Sequence, residues 1–351
     1  ILFGCTDISV LLVSILGVGV LPFIGGFENR EKIKKLLCKY ESRGDLFAVL
    51  EIVRDYFKIK DSSIKRKYLR DNLLSYNKIN EIKSSTAQYY SILKDVGFLP
   101  MDYKVGSISD LNRNERNFDI LRAILTGAFY PHIARGQLPD VKYLSTSSGA
   151  VEKDPEAKMI KYWIRSEEYQ DKLEEYKTKI SQETQKVDLE DLPLPATRAF
   201  IHPSSVLFST NSVNLEDAKL LSEVDGPISR QSKIPTVVKY PFVLFTTSQV
   251  TNKLYLRDLT PTTTLSLLLF GGAISYDIGG TIHSPGIVVD NWLPIRTWCK
   301  NGVLIKELRT QLDEAIRKKL ESPDYAKKSQ IDNSDADKTL KIVEKIIASE
   351  Q

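Results

Sequence analysis

One change of period divides this chain. The stretch "NFDILRAILTGAFYPHIA" (117–134) places Ile120, Leu121, Ile124 and Leu125 at helical spacing, and Gly127 and Pro131 then stop it. Before it the apolar residues keep a helical period. After it come short β-rich runs bounded by turn signals: "VKYLSTSSG", "TRAFIHPSSVLFST", "YPFVLFTTSQVTNKLYLRDLT", "TLSLLLFGGAISYDIGG" and "GIVVDNWLPI". The two periods bury their side chains in different ways, so the halves must form different layers. The expectation is an α+β chain, a helical bundle followed by a small barrel or sandwich.

The helical half reads in some detail. Ile33, Leu36, Leu37 and Tyr40 share one face, with Asn29 as a cap and Gly44 as the stop. Asp45 is placed to cap a second helix whose apolar face is Leu46, Leu50, Val53 and Phe57. Further helices are expected over 64–73 and 76–96, the last ending at Gly97. Two segments interrupt the β half. Residues 151–191 hold 8 Lys/Arg and 12 Asp/Glu, and Ile160, Trp163, Ile164, Leu173, Tyr176 and Ile180 keep a helical period, as in an inserted helix or hairpin. "LIKELRTQLDEAIRKKL" spaces Leu304, Leu308, Leu312, Ile316 and Leu320 four apart, a long amphipathic helix stopped before Pro323. A short last helix would turn Leu340, Val343 and Ile347 inward.

Charge enters because it is uneven. The net charge is +4, so with −4 in the 151–191 segment the rest of the chain carries +8. A basic body suits a polyanionic partner, and equally describes two solvated surfaces of unequal charge. Cys5, Cys38 and Cys299 are far apart and form no CxxC or Cys/His cluster, which points to a reducing compartment without a zinc site. The uncharged run 8–25 contains serines, glycines and Pro22, and reads as a buried helix rather than a membrane span. The first residues are Ile-Leu-Phe with no initiator Met, as though cut from something longer.

Much familiar chemistry is missing from these residues. There is no GxxxxGK[ST], no acidic box after a hydrophobic strand, no GxSxG elbow and no HExxH. What stands out is "RAFIHPSSVLF" (198–208), where a strand pattern breaks at His202, Pro203, Ser204 and Ser205. Three readings fit. His202 and Ser204 share a strand face and could form a base and nucleophile, although the proline and the absent elbow oppose it. The same groups could cap backbone at the break. Or imidazole and hydroxyls could meet phosphate, ribose or base edges. "TNKLYLRDLT" gives a second polar tip. Thr251, Asn252 and Lys253 form a hairpin turn, and Tyr255 and Arg257 share one strand face. Lys253 and Arg257 could contact phosphates along a single strand, or could be solvated hairpin charges.

Several stretches in order resemble one family. "IHPSSVLF", "YLRDLT" with "LLLFGG", "DNW" and "LRTQLDEAIRKKLESP" are similar to the C-terminal oligonucleotide-binding fold of DEAH/RHA-type ATP-dependent RNA helicases, in the RNA-helicase-A-like subgroup. "LTGAFYPHIAR" resembles the start of that module, with His132 where the family has Asn. "FGCTDISVLLVSIL" with "LPF", and "ESRGDLFAVLEIVRDYF", are similar to its helical ratchet (HA2-like) domain. There Gly44, Asp45, Leu46, Phe47 and Ala48 replace the usual Ser-Asp-His-Leu-Ala.

The resemblance implies an α+β multidomain architecture. It would comprise a ratchet over 1–115, an OB-fold barrel over 116–322 with the charged helical insert 151–191, and a tail over 323–351. It implies single-stranded RNA as partner, alongside RecA-like lobes and a winged helix that would bring ATP and Mg, no cofactor being expected in these residues themselves. It implies RNA contacts at His202, Ser204 and Ser205, with Asn252, Lys253 and Arg257 beside them and Pro203 shaping the loop. The alternative is an interaction module that docks a ribosome or regulatory protein through the insert and tail. The expected location is cytoplasmic, with the nucleus as alternative and no membrane.

Overall fold

The computed structural model describes residues 1–19, 21–107, 109–137, 142–146, 149–153, 160–181, 193–209, 241–277, 286–321 and 334–349. Parts of the expected insert (154–159, 182–191) and most of the expected tail before its last helix (323–333) lie outside them.

The helical half is built around one helix. α1 (Thr6–Gly17) buries Ile8, Leu12 and Ile15 at i, i+4 and i+7. It is followed by α2 (Arg30–Leu37), α3 (Asp45–Lys58), α4 (Ser62–Asp71), α5 (Tyr76–Asp95) and α6 (Phe118–Phe129). α3 is buried nearly all round, from Leu46 through Val53, as a central helix must be. α4 starts at Asp61, whose carboxylate accepts from the Ser63 and Ile64 N–H groups. No helix among the described residues is long and apolar enough to cross a membrane.

Three local expectations change. Asn29 makes no side-chain cap, because a 3-10 turn (Phe27–Asn29) leads straight into α2 and its backbone is already helical. Gly44, not Asp45, is the N-cap of α3, at φ +86°. Gly127 lies inside α6 rather than ending it. A Cβ there would come within 3.1 Å of Phe270, so the glycine lets a second helix cross closely.

The β half holds a seven-stranded sheet with the order β7-β8-β5-β4-β1-β6-β9. Its strands are β1 (Ile133–Gln137), β4 (Lys161–Arg165), β5 (Ala196–Ile201), β6 (Phe242–Leu244), β7 (Thr247–Val250), β8 (Leu254–Arg257) and β9 (Thr260–Thr262). Every pairing is antiparallel except β5 with β8. β2 (Lys142–Thr146) and β3 (Gly149–Lys153) form a separate hairpin. β4 is a correction. Ile160, Trp163 and Ile164 satisfy a helical spacing, yet 161–165 is a strand in the middle of the sheet, with Tyr162 buried and Trp163 facing out. A short apolar run fits either period, and strand partners on both sides decide it. The helical reading holds just after it, where α7 (Glu167–Ser181) follows.

"TLSLLLF", read as β-rich, is also a helix. α8 (Val206–Ser209) precedes it in the chain, and it becomes α9 (Thr264–Phe270), started by Thr263, which accepts from the Ser266 N–H. It buries Leu267, Leu268 and Leu269. β10 (Ile274–Asp277), β11 (Gly286–Val289) and β12 (Leu293–Arg296) then form a small antiparallel sheet. α10 (Cys299–Glu321) and α11 (Ser334–Ala348) close the molecule, α11 with Leu340, Val343 and Ile347 inward. Arg113, beside the first residues of the chain, pairs with Glu344 of α11 and donates to Leu2 O. One apolar core runs from α1 and α3 through the large sheet to α11.

Candidate nucleic-acid interface

The interface begins where the helical half meets the sheet. Gly44 lies against β9 so closely that a Cβ would sit 2.5 Å from Leu259 O and 2.6 Å from Pro261 Cδ. That approach brings the start of α3 to two breaks of the β half. The Asp45 N–H donates to Leu259 O at 2.7 Å. Its carboxylate accepts from the Val206 N–H at 2.7 Å and from the Leu259 N–H at 2.8 Å. Ser205 donates its hydroxyl to the same carboxylate. Burial pushes the Asp45 carboxyl up to about 6, against the opposing pull of these three donors. One carboxylate thus fixes the ends of both "IHPSSV" and "YLRDL".

Ser205 departs from the surface position expected of it. It is 2% exposed, and its oxygen also accepts from the Leu207 N–H at 3.2 Å. It caps the short α8 from inside. The rest of the loop faces out. His202 is half-buried, and Pro203 and Ser204 are exposed. The Arg257 guanidinium, a donor only, lies 3.0 Å from His202 Nε2. Nδ1 faces Ser204, 2.7 Å from its Oγ and 3.1 Å from its backbone nitrogen, whose N–H points at it. Burial first, then the positive charges of Arg257, Arg30 and Lys34, hold the His202 pKa below its ordinary value. His202 and Ser204 are therefore in contact, with no third group turning the ring into a base: the other nitrogen faces a cation.

The hairpin tip has Asn252 and Lys253 exposed, and Thr251 donates to Asn252 Oδ1 at 3.2 Å. Lys253 Nζ stands 4.6 Å from the centre of the Phe200 ring, so the turn leans onto β5. This joins the hairpin to a wider surface that the sequence reading did not assemble. The outward side chains of β4, β5 and β8 are Trp163, Arg198, Phe200, Tyr255 and Arg257, while Tyr162, Ala199, Ile201 and Leu256 point into the core. Register sets Trp163 opposite Arg198, Phe200 opposite Tyr255, and exposed Arg135 of β1 opposite Trp163. The Arg198 guanidinium lies 4.8 Å from the Phe200 ring centre and 5.7 Å from that of Trp163. Tyr255 meets Phe200 at 6.2 Å and the His202 ring edge-on at 5.8 Å. The signal for it was the alternation in "YWIR" and "TRAFI", visible only once both were strands.

Among the described residues no group of three or more His, Cys, Asp or Glu could hold a metal ion. What this surface offers is cations interleaved with aromatic rings, an arrangement suited to stacking bases and pairing phosphates.

Residues 121–274 match the oligonucleotide/oligosaccharide-binding (OB)-fold family, and 286–348 match the C-terminal domain in RNA helicases. The chain is 99% identical, over its whole length, to a Saccharomyces cerevisiae protein named as an ATP-dependent RNA helicase, of which it covers 24%. It is 25% identical over 92% of its length to a Mycosarcoma maydis protein named as a DEAH-box ATP-dependent helicase, covering 18% of that protein. It is 22% identical over 92% of its length to the ATP-dependent DNA/RNA helicase DHX36 of Bos taurus, covering 25%. The chain thus spans a quarter or less of each of these relatives. Both family matches fall in sequence order, so the chain carries an OB-fold domain and a C-terminal domain of the kind found in RNA helicases, and along its length it is similar to proteins named as RNA and DEAH-box helicases.

Proposed function

We propose that this chain is the single-stranded-RNA-engaging region of an ATP-dependent RNA helicase. The observation that carries it is the outward face of β4, β5 and β8, where Arg135, Trp163, Arg198, Phe200, Lys253, Tyr255 and Arg257 alternate rings and cations beside the His202 loop. His202, Ser204, Asn252, Lys253 and Arg257 are the polar contacts to RNA. Ser205 and Pro203 give the loop its shape. The helical half is the ratchet of the helicase, and Asp45 fixes the RNA loop to it. Hydrolysis of ATP with Mg takes place elsewhere in the longer protein, on RecA-like lobes, because these residues hold no phosphate-binding loop. The same proposal places the protein in a reducing compartment, the cytoplasm or the nucleus.

The test is fluorescence anisotropy of a labelled single-stranded oligoribonucleotide with the 351-residue chain. Binding should weaken steeply as salt rises, and a Lys253→Ala/Arg257→Ala variant that melts at the wild-type temperature should bind several-fold more weakly. Binding that is absent at low salt, or unchanged in the double variant, would overturn the proposal.

A further inference from the structure

The seam between α2 and the His202 loop carries a second element of the site, one the sheet face does not supply. Lys34 of α2 donates Nζ to Pro203 O at 2.5 Å, and its ammonium lies 5.2 Å from the centre of the Phe208 ring, which is 42% exposed. Arg257 of β8 also reaches the loop, through His202 Nε2. The loop atoms nearest these cations already face a donor: Pro203 O faces Lys34, His202 Nε2 faces Arg257, and His202 Nδ1 faces the Ser204 N–H. Donors remain. The Lys34 ammonium has three and uses one here, and the Arg257 guanidinium has four on its two terminal nitrogens, its Nε being buried. The charged groups acting on the His202 ring are Arg257, Arg30 and Lys34, all cations. A base edge asks for donors and acceptors together, whereas a surface with spare donors and net positive charge fits an oxyanion.

We propose that α2 and the His202 loop together form a phosphodiester subsite, in which Lys34 and Arg257, with Arg30 at longer range, hold one backbone phosphate of single-stranded RNA. The inference rests on the RNA reading above and deepens it. The helical half then contributes to the nucleic-acid site directly, and a single nucleotide spans helix and sheet. Because phosphate is common to all sequences, the subsite strengthens binding without selecting bases.

The experiment compares wild type, Lys34→Ala and Lys34→Arg by anisotropy against oligo(U) and oligo(A) RNA of equal length, across a salt series. Thermal melting confirms that each variant is folded. Lys34→Ala should weaken both oligonucleotides by the same factor and should flatten the log–log salt dependence by about 0.7, the value of one single-strand phosphate contact. Lys34→Arg should restore both. Unchanged affinity, or a loss that leaves the salt slope as in wild type, overturns the subsite and leaves the RNA reading standing. A loss confined to one oligonucleotide overturns it too, since it would mean base contact. Wild type that binds neither oligonucleotide overturns the RNA reading and the subsite with it.

Discussion

Two chain breaks in the β half, each ending a regular element, differ in what they do with their polar groups. "IHPSSV" ends β5 and "LLLFGG" ends α9. Each is met by a buried or half-buried aspartate. At the second, everything turns inward. Asp290 accepts from Tyr130 at 2.5 Å, from the Ala273 N–H at 2.7 Å and from Arg165 at 3.5 Å. Arg309 of α10 donates to Gly271 O, Gly272 O and Leu268 O, satisfying the carbonyls left over where α9 ends. At the first break, Asp45 and Ser205 hold only the inner side, and His202, Ser204 and Arg257 stay at the surface with Lys34 and Lys253 around them. Both stretches carried the family resemblance equally. A break that satisfies its own polar groups maintains the fold, while a break that leaves cations with spare donors is equipped to bind.

That contrast can be broken by mutation. The largest effect should come from Gly272→Val in the closed break, because any Cβ there collides with the Asp290 carboxylate and the Tyr130 hydroxyl. A loss of roughly 3 kcal/mol or more is expected in urea unfolding. A variant as stable as wild type would mean the break is not closed.

Next is Asp45→Ala, which leaves the Val206 and Leu259 N–H groups buried without an acceptor and should cost about 2–4 kcal/mol. The sign of its pH dependence follows from the raised pKa. The folded state holds the Asp45 proton more tightly than the unfolded chain, so this group favours folding most below pH 3.8, and its contribution falls as pH rises to about 6 and is level above. Urea midpoints between about pH 4 and pH 7 should show that decline in wild type and a flatter profile in Asp45→Asn, whose amide does not titrate. Identical profiles would remove Asp45 from the pH response.

Smaller effects belong to the open surface, and they should appear in affinity rather than stability. Trp163→Ala, half-buried on the outward face, should weaken single-stranded RNA by about 1–3 kcal/mol, the worth of one stacked base. His202→Ala should weaken it by about 1 kcal/mol while the unfolding midpoint moves little. In the intact helicase the His202→Ala/Ser204→Ala pair should lower unwinding per ATP turned over. If His202→Ala shifts the melting temperature as much as an Asp45 variant while affinity holds, the two breaks are of one kind and the comparison fails.

Much of this was readable before any coordinates. The helices of the first half follow from apolar spacing, since a helix that buries one stripe must repeat it every three or four residues, and α1, α3, α4 and α5 lie close to where Ile8–Ile15, Leu46–Val53 and their successors put them. The final helix turns Leu340, Val343 and Ile347 inward for the same reason. The seven-stranded pairing, with its parallel β5–β8 step, was not readable, because neighbours there are far apart in sequence. Residues 161–165 and 264–270 went to the other period, since a few apolar residues satisfy both and only the surrounding layers choose.

The amino-acid sequence determined the alternation of helical and β halves, the break at His202-Pro203-Ser204-Ser205 and the supply of cations, because period, proline and charge are local properties. Tertiary structure alone decided which of those groups face out. It turned Ser205 toward Asp45, 160 positions earlier in the chain, set Lys34 of α2 against Pro203, and lined up Trp163, Arg198, Phe200 and Tyr255 from three strands. Those contacts depend on register and on the close passage that Gly44 permits, and neither is written in the spacing of any one segment.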